Sequence, residues 1–190
     1  MKKFINGFAV GARDVCPQCP ILEVYSETFS SQEEGEEKAD MLLAAGVEIA
    51  FCAGGFTGSS ACKKLAENGV FVIGVDVDEY YTTFDGGSAA GSELLLTSAL
   101  KSTSRAVQFA IQCFLFNFDD CVGKNNLLDA SNGGIQLAPC HEACEVYTEE
   151  TQIKVEDLYE ALADEAISTG IAPSGDIIES SVTVLGGSDP

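Results

Sequence analysis

Residues 47–80 read VEIAFCAGGFTGSSACKKLAENGVFVIGVDVDEY, and the reading of this stretch decides the fold. Residues 47–53 are an apolar run but for Glu48, as expected of a strand covered on both faces. The glycines of GGFTG at 54–58 then turn the chain into a helix, which ends at Asn68-Gly69, a C-cap signal. Residues 70–75 form a second buried strand that stops at Asp76. A strand, a crossover helix and a second strand in so short a span predict a βαβ unit, and hence a parallel sheet.

The same alternation continues on both sides. A helix is expected over residues 3–15, closed by Cys16-Pro17, followed by a strand over 21–26. Ser31 starts a helix with Glu33 and Glu34 in its first turn, where the helix dipole favours acids. That helix runs to Ala45 and stops at Gly46. Beyond the quoted stretch, a Gly- and Ser-rich loop over 85–92 leads into a strand over 93–97. Val107, Ala110, Ile111 and Phe114 then form a helical stripe. Residues 119–134 read as polar loop and 135–138 as a short strand. Val155, Leu158, Leu162 and Ala166 stripe a long helix, and 181–185 read as a terminal strand. No internal repeat interrupts the pattern.

Composition narrows the function. With 190 residues and 46% hydrophobic content, the chain can fill one α/β core and part of a second. No apolar run reaches the roughly 18–20 residues that cross a bilayer, so direct membrane insertion is not expected. The formal charge is −20, and beyond Lys101 the only cations are Arg105, Lys124 and Lys154. Phosphate backbones and anionic lipids attract clustered Lys and Arg, so no nucleic-acid partner is expected. The first eight residues lack the continuous apolar core and cleavage site of a signal peptide. They carry a helical pattern instead, which suggests a chain that opens inside structure. Of the eight cysteines, Cys16/Cys19 and Cys140/Cys144 are close pairs able to bridge in an exported protein. Cys52, Cys62 and Cys113 lie in apolar stretches and read as small buried hydrophobes.

In an open parallel sheet, ligands bind beyond the carboxyl ends of the strands. Three such ends carry candidate groups. Gly54 and Gly55 let backbone N–H groups approach a ligand at a helix N-terminus. Asp76 follows its strand directly, and a carboxylate there can accept both hydroxyl protons of a vicinal diol. Thr97, Ser98 and Lys101 can point a hydroxyl or an amine into the same crevice, with Lys101 balancing the acid. Phe29 and Phe56, in loops beside strand ends, can cover a flat ring, although core packing is an equal use for them. Asp78 and Glu79 read rather as solvated loop acids.

Other chemistries fit less well. Asp76 stands about twenty residues beyond the glycine turn, the spacing of the acid that holds the ribose of NAD. An NAD(P)-dependent Rossmann enzyme using Gly54–Gly58 and Asp76 is therefore the alternative reading. Yet the turn is not GxGxxG, and no Tyr-Lys pair or other hydride-transfer set is recognisable. Cys16-Pro-Gln-Cys19 follows a helix and precedes a strand, the reverse of a redox CxxC. His141 with Cys140 and Cys144 lacks a fourth ligand at zinc spacing. No metal, cofactor or catalytic residue is expected.

Several of these strings occur together, and in the same order, in one known family. VEIAFCAGGFTG, VFVIGVDVDEY, LLTSALKS (95–102) and GGIQLAPCH (133–141) resemble the AAGGTG turn, VIGVDSDQ, TS-x-x-K and GGVGLAP strings of the BMP/PnrA (basic membrane protein) family. FINGFAVGARDV also resembles the family's F-x-x-G-F-x-x-G-A helix, and residues 25–31 its Y-x-x-S-F-x-D segment. The resemblance covers about residues 3–170. It implies a substrate-binding lipoprotein of an ABC transporter at the plasma membrane, working in the periplasm or at the cell surface. It also implies a periplasmic-binding-protein type I fold, Rossmann-like, with two lobes hinged around a purine nucleoside or similar ribosyl ligand and a transporter permease as partner. On that pattern residues 3–93 and 134–190 form the second lobe, and 94–132 cross to a first lobe that this chain lacks. Asp76 and Lys101 would hold the ribose, with Gly54, Gly55 and Phe56 lining the cleft. The chain shows neither the lipoprotein signal nor the lipidated cysteine of that pattern, and its cysteine content is unusual for bacterial members.

Overall fold

A computed structural model describes residues 2–116, 121, 123–124, 126–170 and 183–184. Helix α1 (Lys2–Val15) leads to a two-residue strand β1 (Leu22–Glu23), then α2 (Gln32–Ala44), β2 (Ile49–Phe51), α3 (Gly55–Glu67) and β3 (Phe71–Asp76). A single turn α4 (Glu79–Thr82) precedes β4 (Leu95–Lys101) and α5 (Thr103–Phe116). The chain finishes with β5 (Ile135–Leu137), α6 (Glu149–Ala163) and β6 (Thr183–Val184). Residues 181, 182 and 185 of the expected last strand lie outside the described residues.

The principal sheet has the order β2-β3-β4-β5. Strands β2, β3 and β4 are parallel, with Ile49 opposite Phe71 and Asp76 opposite Leu100. The parallel sheet is as expected, with one exception at β5, which runs antiparallel to β4 with Lys101 opposite Ile135. It hydrogen-bonds back along β4 as an edge strand, a common addition to parallel sheets. Strand β1 pairs in parallel with β6 in a separate two-stranded ladder. Strand β4, expected within the crossing segment 94–132, lies inside the sheet beside β3.

Strand β2 is shorter than its apolar run predicts, and Ile49 is half exposed. Only one face of that strand is fully covered among the described residues. The core lies where α2 and α3 pack on the sheet, built from Ala39, Ala50, Cys62, Leu65, Val72, Phe84 and Leu95. Gly35 sets the approach of the two helices: a Cβ there would collide with the Thr57 carbonyl oxygen. Ser31 caps α2 as its sequence position predicts, its hydroxyl accepting from the Glu34 N–H at 3.1 Å.

Cys16–Cys19 and Cys140–Cys144 are disulfides. Cys113 is buried as expected but is not a free hydrophobe; it is joined to Cys121. The sequence hides that link because Cys121 sits in the polar loop beyond α5. Cys52 and Cys62 are free and buried.

Candidate functional site

Parallel register places the carboxyl ends of β2, β3 and β4 along one rim. At the end of β2, Gly54 is the N-cap of α3 and Gly55 adopts φ 58°, a left-handed conformation that glycine takes without penalty. The segment before α2 folds over this turn. Thr57 N–H donates to the Phe29 carbonyl at 3.3 Å, and Ser31 N–H donates to Thr57 Oγ1 at 2.9 Å. A Cβ on Gly55 would lie 3.1 Å from the Phe29 oxygen, so the contact needs glycine for space as well as for φ. Phe29 and Phe56 flank this turn with more than half of each residue exposed. Core packing, the other use open to them, is not what they do.

At the end of β3, Asp76 has φ 71° and Val77 N–H donates back to the Val75 carbonyl at 2.8 Å. Asp76 is therefore the centre of a γ-turn, a strained geometry that costs on the order of 1–3 kcal/mol for a non-glycine residue. Such strain persists where the surroundings over-determine it, and it clusters at binding sites. Lys101, the last residue of β4, brings Nζ to 2.5 Å from Asp76 Oδ1. That oxygen is closed off from solvent and makes no aligned hydrogen bond, so the lysine meets it as an ion pair. Both side chains remain about 40% exposed, at 43% for the acid and 42% for the lysine. Pairing across adjacent strands thus covers Oδ1 and leaves the rest of the carboxylate and the lysine open to a ligand.

Lys101 Nζ also lies 4.7 Å from the Phe4 ring centroid, over its face. Phe4 and Phe8 of α1 both meet Phe51 of β2, with centroids 6.3 and 5.7 Å apart. This aromatic floor beneath the lysine was missed by the sequence reading. The signal available was the i, i+4 spacing of the two phenylalanines.

Thr97 and Ser98 do not reach the rim. Thr97 Oγ1 donates to the Ala138 carbonyl at 2.7 Å, and Ser98 Oγ accepts from Glu79 N–H at 3.1 Å, both buried. Asp78 and Glu79 are not solvated loop acids. Asp78 Oδ1 caps α4 by accepting from Tyr80 N–H, while Oδ2 pairs with His141 Nε2 at 2.8 Å. The His141 ring stacks on Tyr80, with centroids 4.0 Å apart. Glu79 is 1% exposed. Burial pushes its carboxyl above the ordinary range, against hydrogen bonds from Thr83, Val75 and Ser59 that pull it down, with the Asp76 charge adding to the rise. The stability this proton contributes is present below the ordinary carboxylate range and is lost as pH rises through the raised value. Among the described residues no cluster of His, Cys, Asp or Glu forms a metal-ligand set. Concavities of about 520 and 390 Å³ lie along α5, away from the rim, and carry none of its polar groups.

A glycine turn, a strained acid and a lysine thus stand together at one rim of the sheet. Residues 1–171 match the Bmp family, described as ABC transporter substrate-binding protein, PnrA-like. The chain belongs to the Bmp family. Two CD4+ T-cell-stimulating antigens are 30% identical to this Bmp-family chain: one from Listeria monocytogenes over 118 residues, and one from Listeria innocua over 117. The matches cover 56% and 55% of this chain and 32% of each relative, so the chain spans about a third of those proteins. An ABC transporter solute-binding protein from Conexibacter woesei superimposes with a TM-score of 0.61 at 22% identity, covering 86% of this chain and 50% of that one. A transcriptional activator of the comK gene from Bacillus halodurans gives 0.60 at 15% identity, covering 75% and 46%. These structures establish the fold of a solute-binding protein, with a mostly parallel sheet and crossover helices. The family's role is to bind a solute. No helix among the described residues is long and apolar enough to cross a membrane.

Proposed function

We propose that the rim holds the sugar of a purine nucleoside or a similar ribosyl ligand, and that the protein delivers this ligand to an ABC-type uptake system without chemical change. Asp76 accepts from the vicinal hydroxyls, each charge-assisted bond contributing roughly 1.5–3 kcal/mol. Lys101 balances the acid and donates to a sugar oxygen. Gly54 and Gly55 admit the ligand to the start of α3, and Phe29 and Phe56 cover the base. On this reading the described residues form one wall of a two-lobed cleft outside the cytoplasmic membrane. The crossing towards the other lobe begins after Lys101, and the apolar surface of α5 packs against that lobe. The observation carrying the proposal is the part-exposed Asp76–Lys101 pair at the carboxyl edge of the sheet, with Asp76 at the centre of a γ-turn.

A thermal-shift screen of inosine, adenosine and guanosine beside NAD and NADP tests it. Stabilisation by the nucleosides supports the receptor. Stabilisation by NAD or NADP alone would replace it with the dinucleotide enzyme that the Gly54–Asp76 spacing also allows.

A further inference from the structure

One buried group behind the rim has no part in the ligand contacts just described. Glu79 Oε1 accepts from Ser59 Oγ at 3.1 Å and from Val75 N–H at 3.4 Å. Thr83 Oγ1 donates to Oε2 at 3.0 Å, and the Glu79 N–H is itself fixed to Ser98 Oγ. The carboxyl therefore ties α3, β3 and the end of α4 together, and the Glu79 N–H adds β4. The chain makes room for it, since a Cβ on Gly74 would stand 2.9 Å from Glu79 Cβ and Cγ and 2.6 Å from Ser98 Oγ. Val75, whose N–H Glu79 holds, is also the residue whose carbonyl closes the γ-turn around Asp76. Asp76 on β3 is the charged group that acts on this carboxyl, and the carboxyl in turn acts on the Cys62 thiol of α3. Neither is a cation that could fix it by charge, so hydrogen bonds do the holding.

We propose that Glu79 is a positioning residue for the ligand site: anchored by Ser59 and Thr83, it clamps Val75 and so keeps Asp76 in its left-handed turn, aimed at Lys101. The proposal deepens the receptor reading and rests on it for the ligand, but the brace can be tested without any ligand. A glutamine at this position keeps an acceptor for Ser59 and Val75, and its NH₂ can donate to Thr83 Oγ1, reversing that one bond. A leucine offers similar bulk and no acceptor.

Residue-resolved amide exchange on the full chain is compared for wild type, Glu79→Gln and Glu79→Leu. The expected result is about tenfold faster exchange at Val75 and Val77 in Glu79→Leu, the scale of one lost buried hydrogen bond to a charged group. Val72 and Ile73 in the same strand hold their rates, and Glu79→Gln restores protection at the turn. If Glu79→Leu does not fold, Ser59→Ala combined with Thr83→Val loosens the anchors while leaving the acid, and the same two amides accelerate. A uniform change along β3, or no difference at Val75 and Val77, overturns the brace. Inosine titrated into the same proteins separates the two ideas. Binding by wild type and Glu79→Gln, weakened about tenfold in Glu79→Leu, supports both. Wild type that ignores inosine removes the receptor reading, and the exchange data still decide the brace.

Discussion

Helices α3 and α5 are nearly equal in length and opposite in use. Helix α3, GFTGSSACKKLAE, is the more polar of the two, yet Thr57, Gly58, Cys62, Leu65 and Ala66 are buried in it. Helix α5, TSRAVQFAIQCFLF, is the more apolar, yet Cys113 alone of its fourteen residues is buried. Phe114 is 81% exposed, and Val107, Ile111 and Leu115 are also open. Apolar content therefore does not set burial here; position against the sheet does. Helix α3 crosses back over β2 and β3 and must pack, whereas α5 leaves the sheet after Lys101. An open apolar surface of this kind marks a contact face, in keeping with the second wall that the receptor reading requires.

The contrast can be broken at several points. Leu65→Ala removes a fully buried side chain from the α3 face and is expected to cost about 2–5 kcal/mol, read from the urea midpoint. A cost near zero would mean that the core is loosely filled. Asp76→Ala should leave the fold standing but weaken nucleoside binding by about tenfold to a hundredfold by calorimetry, the worth of one charged hydrogen bond. Alanine keeps the Cβ, so the turn strain stays and no gain in stability is expected from it. Ser31→Ala deletes the α2 cap and should lower stability by about 1 kcal/mol, checked by denaturant unfolding. Phe114→Ser, on the α5 side, should change stability by no more than about 0.5 kcal/mol. A loss there as large as that for Leu65→Ala would show that the α5 surface is packed within this chain, and would remove the argument for a second wall.

Much of this was legible in the sequence. Residues 47–80 specify a βαβ unit because a strand covered by helices leaves a largely apolar run, and glycines mark both ends of the crossover. Asp76 and Lys101 could be placed together because neighbouring parallel strands end at one edge, although the strand expected to stop at Thr97 in fact runs on to Lys101. What stayed hidden depends on partners distant in the chain. DVDEY reads as a solvated loop, and nothing local reveals that Ser59, Thr83 and Ser98 converge on Glu79 and let it be buried. Thr97 and Ser98 read as rim hydroxyls because their acceptor and donor, Ala138 and Glu79, come from elsewhere. The direction of β5 was equally unreadable: a three-residue strand after a polar loop carries no mark of its orientation. The aromatic floor under Lys101 needed the docking of α1 on β2, which periodicity alone does not give.

The central claim is that the Asp76–Lys101 rim grips a sugar. Inosine titrated into ¹⁵N-labelled protein, followed by amide chemical shifts, tests it without requiring tight binding. The account predicts saturable shifts gathered at Gly54, Gly55, Asp76, Val77 and Lys101, lost in Asp76→Ala. Shifts confined to α5 or α6, or identical in the two proteins, would contradict it.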